Sequence, residues 1–287
     1  MNIVNMAEEL FVRTREEIVP ISDADAEMMR KTVLSAKDVG AVMMMLNEGV
    51  IARLKGAGRF AEMLDLINEL YRRAFMQPAA IDLYLKQGSI CESMREYAMA
   101  IDYYNKGIAL YATMVESNNG CGYWLFNNTA FCHDFERHFP EAQKLADKAI
   151  SIDRDRHNAW KNRGISLEYQ DNYVEAAACY IASYIKCAGG SDPRPMMHLK
   201  RVFKRHDGLK DDLAAQAEKV IGSIFTGSFT AFCLAETYYH CGHLDKAISE
   251  YEKFYAIAPY GYAEHLKYAS STIKELKELK QIEAQLT

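Results

Sequence analysis

The chain has 287 residues, 49% of them hydrophobic and 25% charged, with a formal net charge of −5 and a sequence pI near 5.9. That balance lacks the basic footprint of a nucleic-acid-binding protein, and no run approaches the roughly 18 apolar residues of a membrane-spanning helix, so neither nucleic acid nor membrane insertion is expected. The length exceeds the roughly 100 to 200 residues of an ordinary domain, yet no Gly/Ser-rich or Pro-rich linker divides it; the core is expected to grow along the chain.

In chain order, the opening MNIVNMAEELFVRTREE is broken by acids and lacks the apolar centre of a signal peptide. Together with seven cysteines in no paired short spacing, it predicts a cytoplasmic protein with reduced thiols. Residues 23 to 37 begin with Asp, which suits a helix N-terminus, and carry an apolar stripe of Met28, Val33 and Leu34. A first helix pair follows, with Phe60, Ile67 and Leu70, and with Met63 where later pairs have Ala. The second pair contains Tyr84, Gly88, Tyr97, Ala100, Tyr104 and Gly107, and the third Phe126, Ala130, Phe139, Ala142, Ala146 and Ala149. The fourth contains Trp160, Gly164, Tyr173, Ala176, Tyr180 and Ser183. Gly in a helix interior costs about 1 kcal/mol against Ala, so Gly164 predicts close approach of the second helix of its pair, with Gly164 and Ala176 as small contacts and Trp160 and Tyr180 as large ones. Pro78 and Pro140 stand where helices begin, and Pro193 and Pro195 interrupt the pattern before a fifth pair that keeps only amphipathic helices. A sixth pair has Ala231, Ala235, Leu244, Ala247, Tyr251, Phe254 and a closing Pro259, and from 262 onward one long helix carries charges over most of its surface.

The third and fourth pairs superpose on a shift of 34 residues, and the second joins them with an eight-residue insertion. This order of large, small and aromatic positions resembles the tetratricopeptide repeat family, whose unit is a helix, a turn and a second helix. The resemblance implies an all-α, right-handed solenoid of antiparallel helix pairs. It divides the chain into N-terminal capping helices at 1–37, an array of about six pairs at 38–261 with the fifth, at 193–225, degenerate, and a C-terminal capping helix at 262–287. A non-enzymatic scaffold or adaptor that binds a protein or extended peptide in a concave groove is the function it implies. A self-assembling structural protein is the alternative, and a metal-dependent protein using the His240 region a weaker one.

In the family the first helix of each pair lines the inner groove. Carried over, this places Asp82, Leu85, Lys86, Ser89, Glu92 and Ser93 there from the second pair. The third pair contributes Trp124, Asn127, Asn128, Phe131, Asp134 and Phe135, and the fourth Asn158, Lys161, Asn162, Ile165, Glu168 and Tyr169. Lys86, Asn127, Asn128, Phe131, Lys161, Asn162 and Tyr169 are the candidate partner-binding residues. Asn128 and Asn162 occupy equivalent positions, outside the core, where an amide can pair with both the C=O and N–H of a peptide backbone. The Lys and Asn clamp of the chaperone adaptors in this family is not reproduced, since Ser89 stands at its first Asn.

Arg194, His198, Arg201 and Arg205 recur on one helical face with Lys200 and Lys204 beside them, a candidate patch for an anionic partner against the alternative of a solvated face. His240, Cys241 and His243 form the best metal candidate, but no second Cys/His cluster accompanies them, and polar turn residues are the expected reading. The glycines at 56 and 58 lack the Gly-Lys-Ser/Thr ending of a phosphate loop, and no nucleophile-elbow or zinc-protease motif occurs. No catalytic residue, metal site or cofactor is expected.

Overall fold

A computed structural model describes residues 20–114, 119–187 and 192–286. The first 19 residues, part of the expected N-terminal cap, lie outside them. The described residues fold as helices that pack on their neighbours in sequence, as the all-α reading anticipates. Among them no helix is long and apolar enough to cross a membrane. The chain divides into two compact units, Met1–Asp153 and Arg154–Thr287.

In the first unit, α1 (Asp23–Ser35) is capped by the Ser22 hydroxyl, which accepts from the Asp25 N–H at 3.1 Å. Val33 of its stripe is buried, but Met28 is 66% exposed: the stripe is narrower than the sequence suggested. α2 (Val39–Met45) is capped by Asp38 and runs through a π-turn kinked at Gly49 into α3 (Ile51–Gly56). α4 (Phe60–Tyr71), α5 (Ala80–Ser93), α6 (Tyr97–Tyr111), α7 (Asn119–Phe135) and α8 (Phe139–Ile152) complete this unit. Val33, Val42, Leu46, Leu66, Ile67, Leu70 and Leu83 form one core, and Ile81, Ala100, Tyr104 and Leu125 a second beside it.

The second unit comprises α9 (His157–Glu168), α10 (Tyr173–Lys186), α11 (Arg194–Arg205), α12 (Leu209–Ile224), α13 (Phe229–Cys241), α14 (Leu244–Ile257) and α15 (Ala263–Leu286). Four tight pairs are α5/α6, α7/α8, α9/α10 and α13/α14. Their register is the one the small residues predict. A Cβ on Gly164 would lie 2.6 Å from a ring carbon of Tyr180, and one on Gly88 2.3 Å from the ring of Tyr104. Ala100, Ala142, Ala176 and Ala247, the second-helix counterparts, are fully buried.

The turns repeat as well. At α5/α6, α7/α8, α9/α10 and α13/α14 the residues Arg95, Arg137, Asp171 and Gly242 adopt positive φ, of 64°, 62°, 61° and 83°. The next N–H reaches back to a carbonyl of the preceding helix, as in Glu96 to Cys91 at 2.9 Å and His138 to His133 at 2.8 Å. Asn172 to Leu167 and His243 to Tyr238, both at 2.9 Å, match them, and so does Arg59 to Leu54 at the α3/α4 turn. This is the Schellman stop, which satisfies the last carbonyls while reversing the chain. The fifth pair departs from the rule: α11 and α12 both pack on α10, and α12 packs on α13, but α11 and α12 do not pack along one another.

Candidate functional site: a cleft on α3 to α7

In the first unit a cleft of about 290 Å³ opens over α5. Asp82, Leu85, Lys86, Ser89, Ile90 and Ser93 form its floor, α7 adds Trp124 and Asn128, and Ile51, Lys55 and Met63 supply the opposite wall. All but Ile90 of the α5 and α7 residues had been assigned to the inner groove. They share one face because helix positions three and four apart fall on the same side. Ile90 at 2% exposure and Met63 at 1% show how the cleft floor merges into the core.

The electrostatics are mixed. Lys86 donates to the Asn47 side-chain oxygen at 2.6 Å. Burial holds its pKa below the ordinary lysine value, with Asp82 opposing that shift. Asn127, buried, donates to the Asn128 oxygen at 2.9 Å, and Asn128 reaches the Tyr104 hydroxyl at 3.4 Å. One N–H and one lone pair of the Asn128 amide remain for a ligand. Phe131 stands apart from the cleft in an aromatic cluster with Tyr97 and Phe135, the last two stacked at 4.1 Å.

The fourth-pair candidates have a different setting. Lys161 is 5% exposed, with its ammonium 3.9 Å from Asp192, and Asn162 is 2% exposed, so the expectation that this amide lies outside the core is corrected. Tyr169 is half-buried at the helix end. α10 and α11 bring a polar cluster to the C-terminal end of α9. Glu168 accepts from Tyr180 at 2.6 Å and from Arg201 at 3.2 and 2.5 Å. Arg194 clasps Asp192 with two side-chain N–H donors at 2.7 and 2.8 Å. Burial alone would raise the Asp192 pKa, but the Arg194 bonds and the Lys161 charge outweigh it and bring it down to about 2. His198 is 3% exposed and stacks on Tyr180 at 5.0 Å and 14°. Of the four residues of the proposed basic patch, only Arg205 is exposed; two are spent on buried carboxylates and one is core.

The Tyr–Glu contact is a feature that the sequence reasoning missed. Tyr104 donates to Glu92 at 2.5 Å, Tyr180 to Glu168, and Tyr251 to Glu236. In each case the tyrosine of the second helix ends on a carboxylate of the first, and Tyr104 and Tyr180 do so across Gly88 and Gly164. A Glu four residues after Gly88 and after Gly164 was the available signal. His240 and His243 face different carboxylates, Glu236 at 3.7 Å and Asp211 at 3.3 Å. Among the described residues no group of three or more His, Cys, Asp or Glu is placed to hold a metal ion.

No family model matches the sequence, and no curated protein does. Among solved structures the chain is similar to MamA AMB-1, at 12% identity over 84% of this chain and 98% of that one, with a TM-score of 0.37. It is also similar to a tetratricopeptide repeat protein from Parabacteroides merdae ATCC 43184, at 14% identity over 90% and 99% of the two chains, with a TM-score of 0.45. The helix-pair repeat itself stands on the chain's own recurring turns and its small-residue contacts with tyrosine.

Proposed function

We propose that this chain is a non-enzymatic binding protein, a scaffold or adaptor, and that the α3 to α7 cleft receives an extended segment of a protein partner. The observation that carries this is the composition of the cleft. A half-buried Trp124 and the apolar Leu85 and Ile51 adjoin Lys86, Asp82, Ser89, Ser93 and Asn128, so both backbone and side-chain groups of a peptide find partners. Seven unbridged cysteines, six of them buried, support a reducing, cytoplasmic setting. A second reading, self-association, is supported by Tyr268, Leu279 and Ile282 of α15, which are 42%, 49% and 54% exposed. Sedimentation at rising concentration tests it.

The test of the first reading is selection of binders from a random peptide display library, followed by calorimetry on the Lys86→Ala, Asn128→Ala double variant. Each neutral hydrogen bond contributes about 0.5 to 1.5 kcal/mol and a charged one more, so affinity should fall by about tenfold to a hundredfold. Undiminished affinity would remove these two residues from the site.

A further inference from the structure

The unclosed fifth pair leaves an opening in the second unit, a cavity of about 380 Å³ where α11, α12 and α13 meet. This pair has no counterpart of the glycine–tyrosine contact seen in α5/α6 and α9/α10. The cavity's apolar side is made by Met196, Leu199 and Phe203, with Leu199 nearly inaccessible and the other two half-buried. Its rim is cationic: Lys200 and Lys204, four residues apart on α11, and Lys210 at the start of α12. All three are exposed, and among the described residues none pairs with a carboxylate within 4.0 Å. Lys210 instead stands over the Phe203 ring, 5.5 Å from its centroid.

Two of the nearby acids have partners, while Asp207 and Asp212, beside Lys210 in the sequence, are exposed. Asp211 faces His243, and Glu236 accepts from Tyr251. His240, at the inner wall, has an Nε2 that makes no hydrogen bond. The same helix thus divides its cations: Arg194 and Arg201 are consumed by Asp192 and Glu168, while Lys200 and Lys204 are left on the cleft side.

We propose that this cleft is a second docking site, independent of the α3 to α7 cleft, for an acidic peptide segment whose carboxylates flank an apolar side chain. The carboxylates meet the three ammoniums, which are mobile point charges suited to a flexible acidic chain rather than to a rigid planar anion. The apolar side chain covers Phe203 and Met196. With a net charge of −5 on the whole chain, a lining that holds three lysines and no carboxylate sets this cleft apart from the surface at large.

The experiment uses the full chain and a fluorescein-labelled hexapeptide, Glu-Asp-Phe-Leu-Asp-Glu, read by fluorescence anisotropy. Binding should weaken about tenfold or more in the Lys200→Ala, Lys204→Ala double variant, and also when salt rises from about 0.05 M to about 0.5 M. Phe203→Ala should weaken it severalfold, and Lys274→Ala, a control on an exposed lysine of α15, should not change it. Because the lysines are exposed, far-UV circular dichroism should show the parent fold in the double variant. The proposal is overturned if the parent does not bind the probe, if Lys-Lys-Phe-Leu-Lys-Lys binds equally, or if the double variant keeps parent affinity. It is also overturned if Glu-Asp-Gly-Ser-Asp-Glu binds as well, or if inorganic phosphate displaces the probe at equal concentration, since charge alone would then be the recognised feature.

Discussion

Gly164 illustrates the residue scale. Its helix accepts the cost of a glycine because Tyr180 lies where a Cβ would be, 2.6 Å from the nearest ring carbon, and the ring is fixed by Glu168 on one side and His198 on the other. Gly164→Ala should therefore destabilise by about 1 to 3 kcal/mol, as overpacking does, despite the better helix propensity of alanine; a melting temperature at or above the parent's would refute the contact. His198 gives a pH signature. Burial first, and then the charges of Arg201, Lys161 and Arg194, hold its pKa down at about 3, against an ordinary 6.5, with Asp192 opposing. The unfolded chain takes up that proton below pH 6.5 and the folded chain does not, so stability falls as pH drops from 6.5 toward 3, by up to about 1.4 kcal/mol per unit. Asp192, with its lowered pKa, adds a loss only below its ordinary 3.8. Urea unfolding of His198→Leu between pH 6.5 and 4 should show a flatter slope than the parent, and an equal slope would assign the titration to another group.

At the scale of elements, the helix pairs were legible because close packing leaves a mark in residue size. Ala100, Ala142, Ala176 and Ala247 recur where a facing helix comes near, and every one is buried. The orientation of α11 was not legible. A row of Arg and His on one side of an amphipathic helix reads as a solvated face, yet Glu168, 33 residues before Arg201, turns that face inward. The residues that reverse it are remote in sequence, so helical periodicity has no access to them. The turns carry a prediction of their own. Arg137 holds a left-handed conformation at φ 62° in the stop between α7 and α8, where Gly242 serves in α13/α14. A side chain there costs roughly 1 to 2 kcal/mol, partly offset by the greater unfolded freedom of glycine. Arg137→Gly should raise stability by about 0.5 to 1 kcal/mol in chemical denaturation, and a loss of stability would mean that the arginine side chain matters more than its backbone.

For the molecule as a whole, the candidate groove residues do not share one setting: Asn127 is buried and Phe131 belongs to an aromatic cluster. Lys86 and Asn128 line an open cleft together with Trp124, whereas Asn162, at the repeat position that matches both, is buried, as is Lys161. Repeat spacing assigns a residue to a face, but contacts from residues remote in sequence decide whether that face stays open, which is why the burial of Asn162 was not legible. The chain has only two tryptophans, and they divide in the same way: Trp124 lines the cleft, while Trp160 is 5% exposed with its indole N–H donated to the Arg154 carbonyl at 2.9 Å. The indole N–H signals in a two-dimensional nitrogen–proton NMR spectrum therefore report on the two settings separately as a display-selected peptide is titrated in. The Trp124 signal should shift with saturation while the Trp160 signal stays in place; a shift confined to Trp160, or no shift of Trp124 at saturating peptide, would contradict binding in the α3 to α7 cleft.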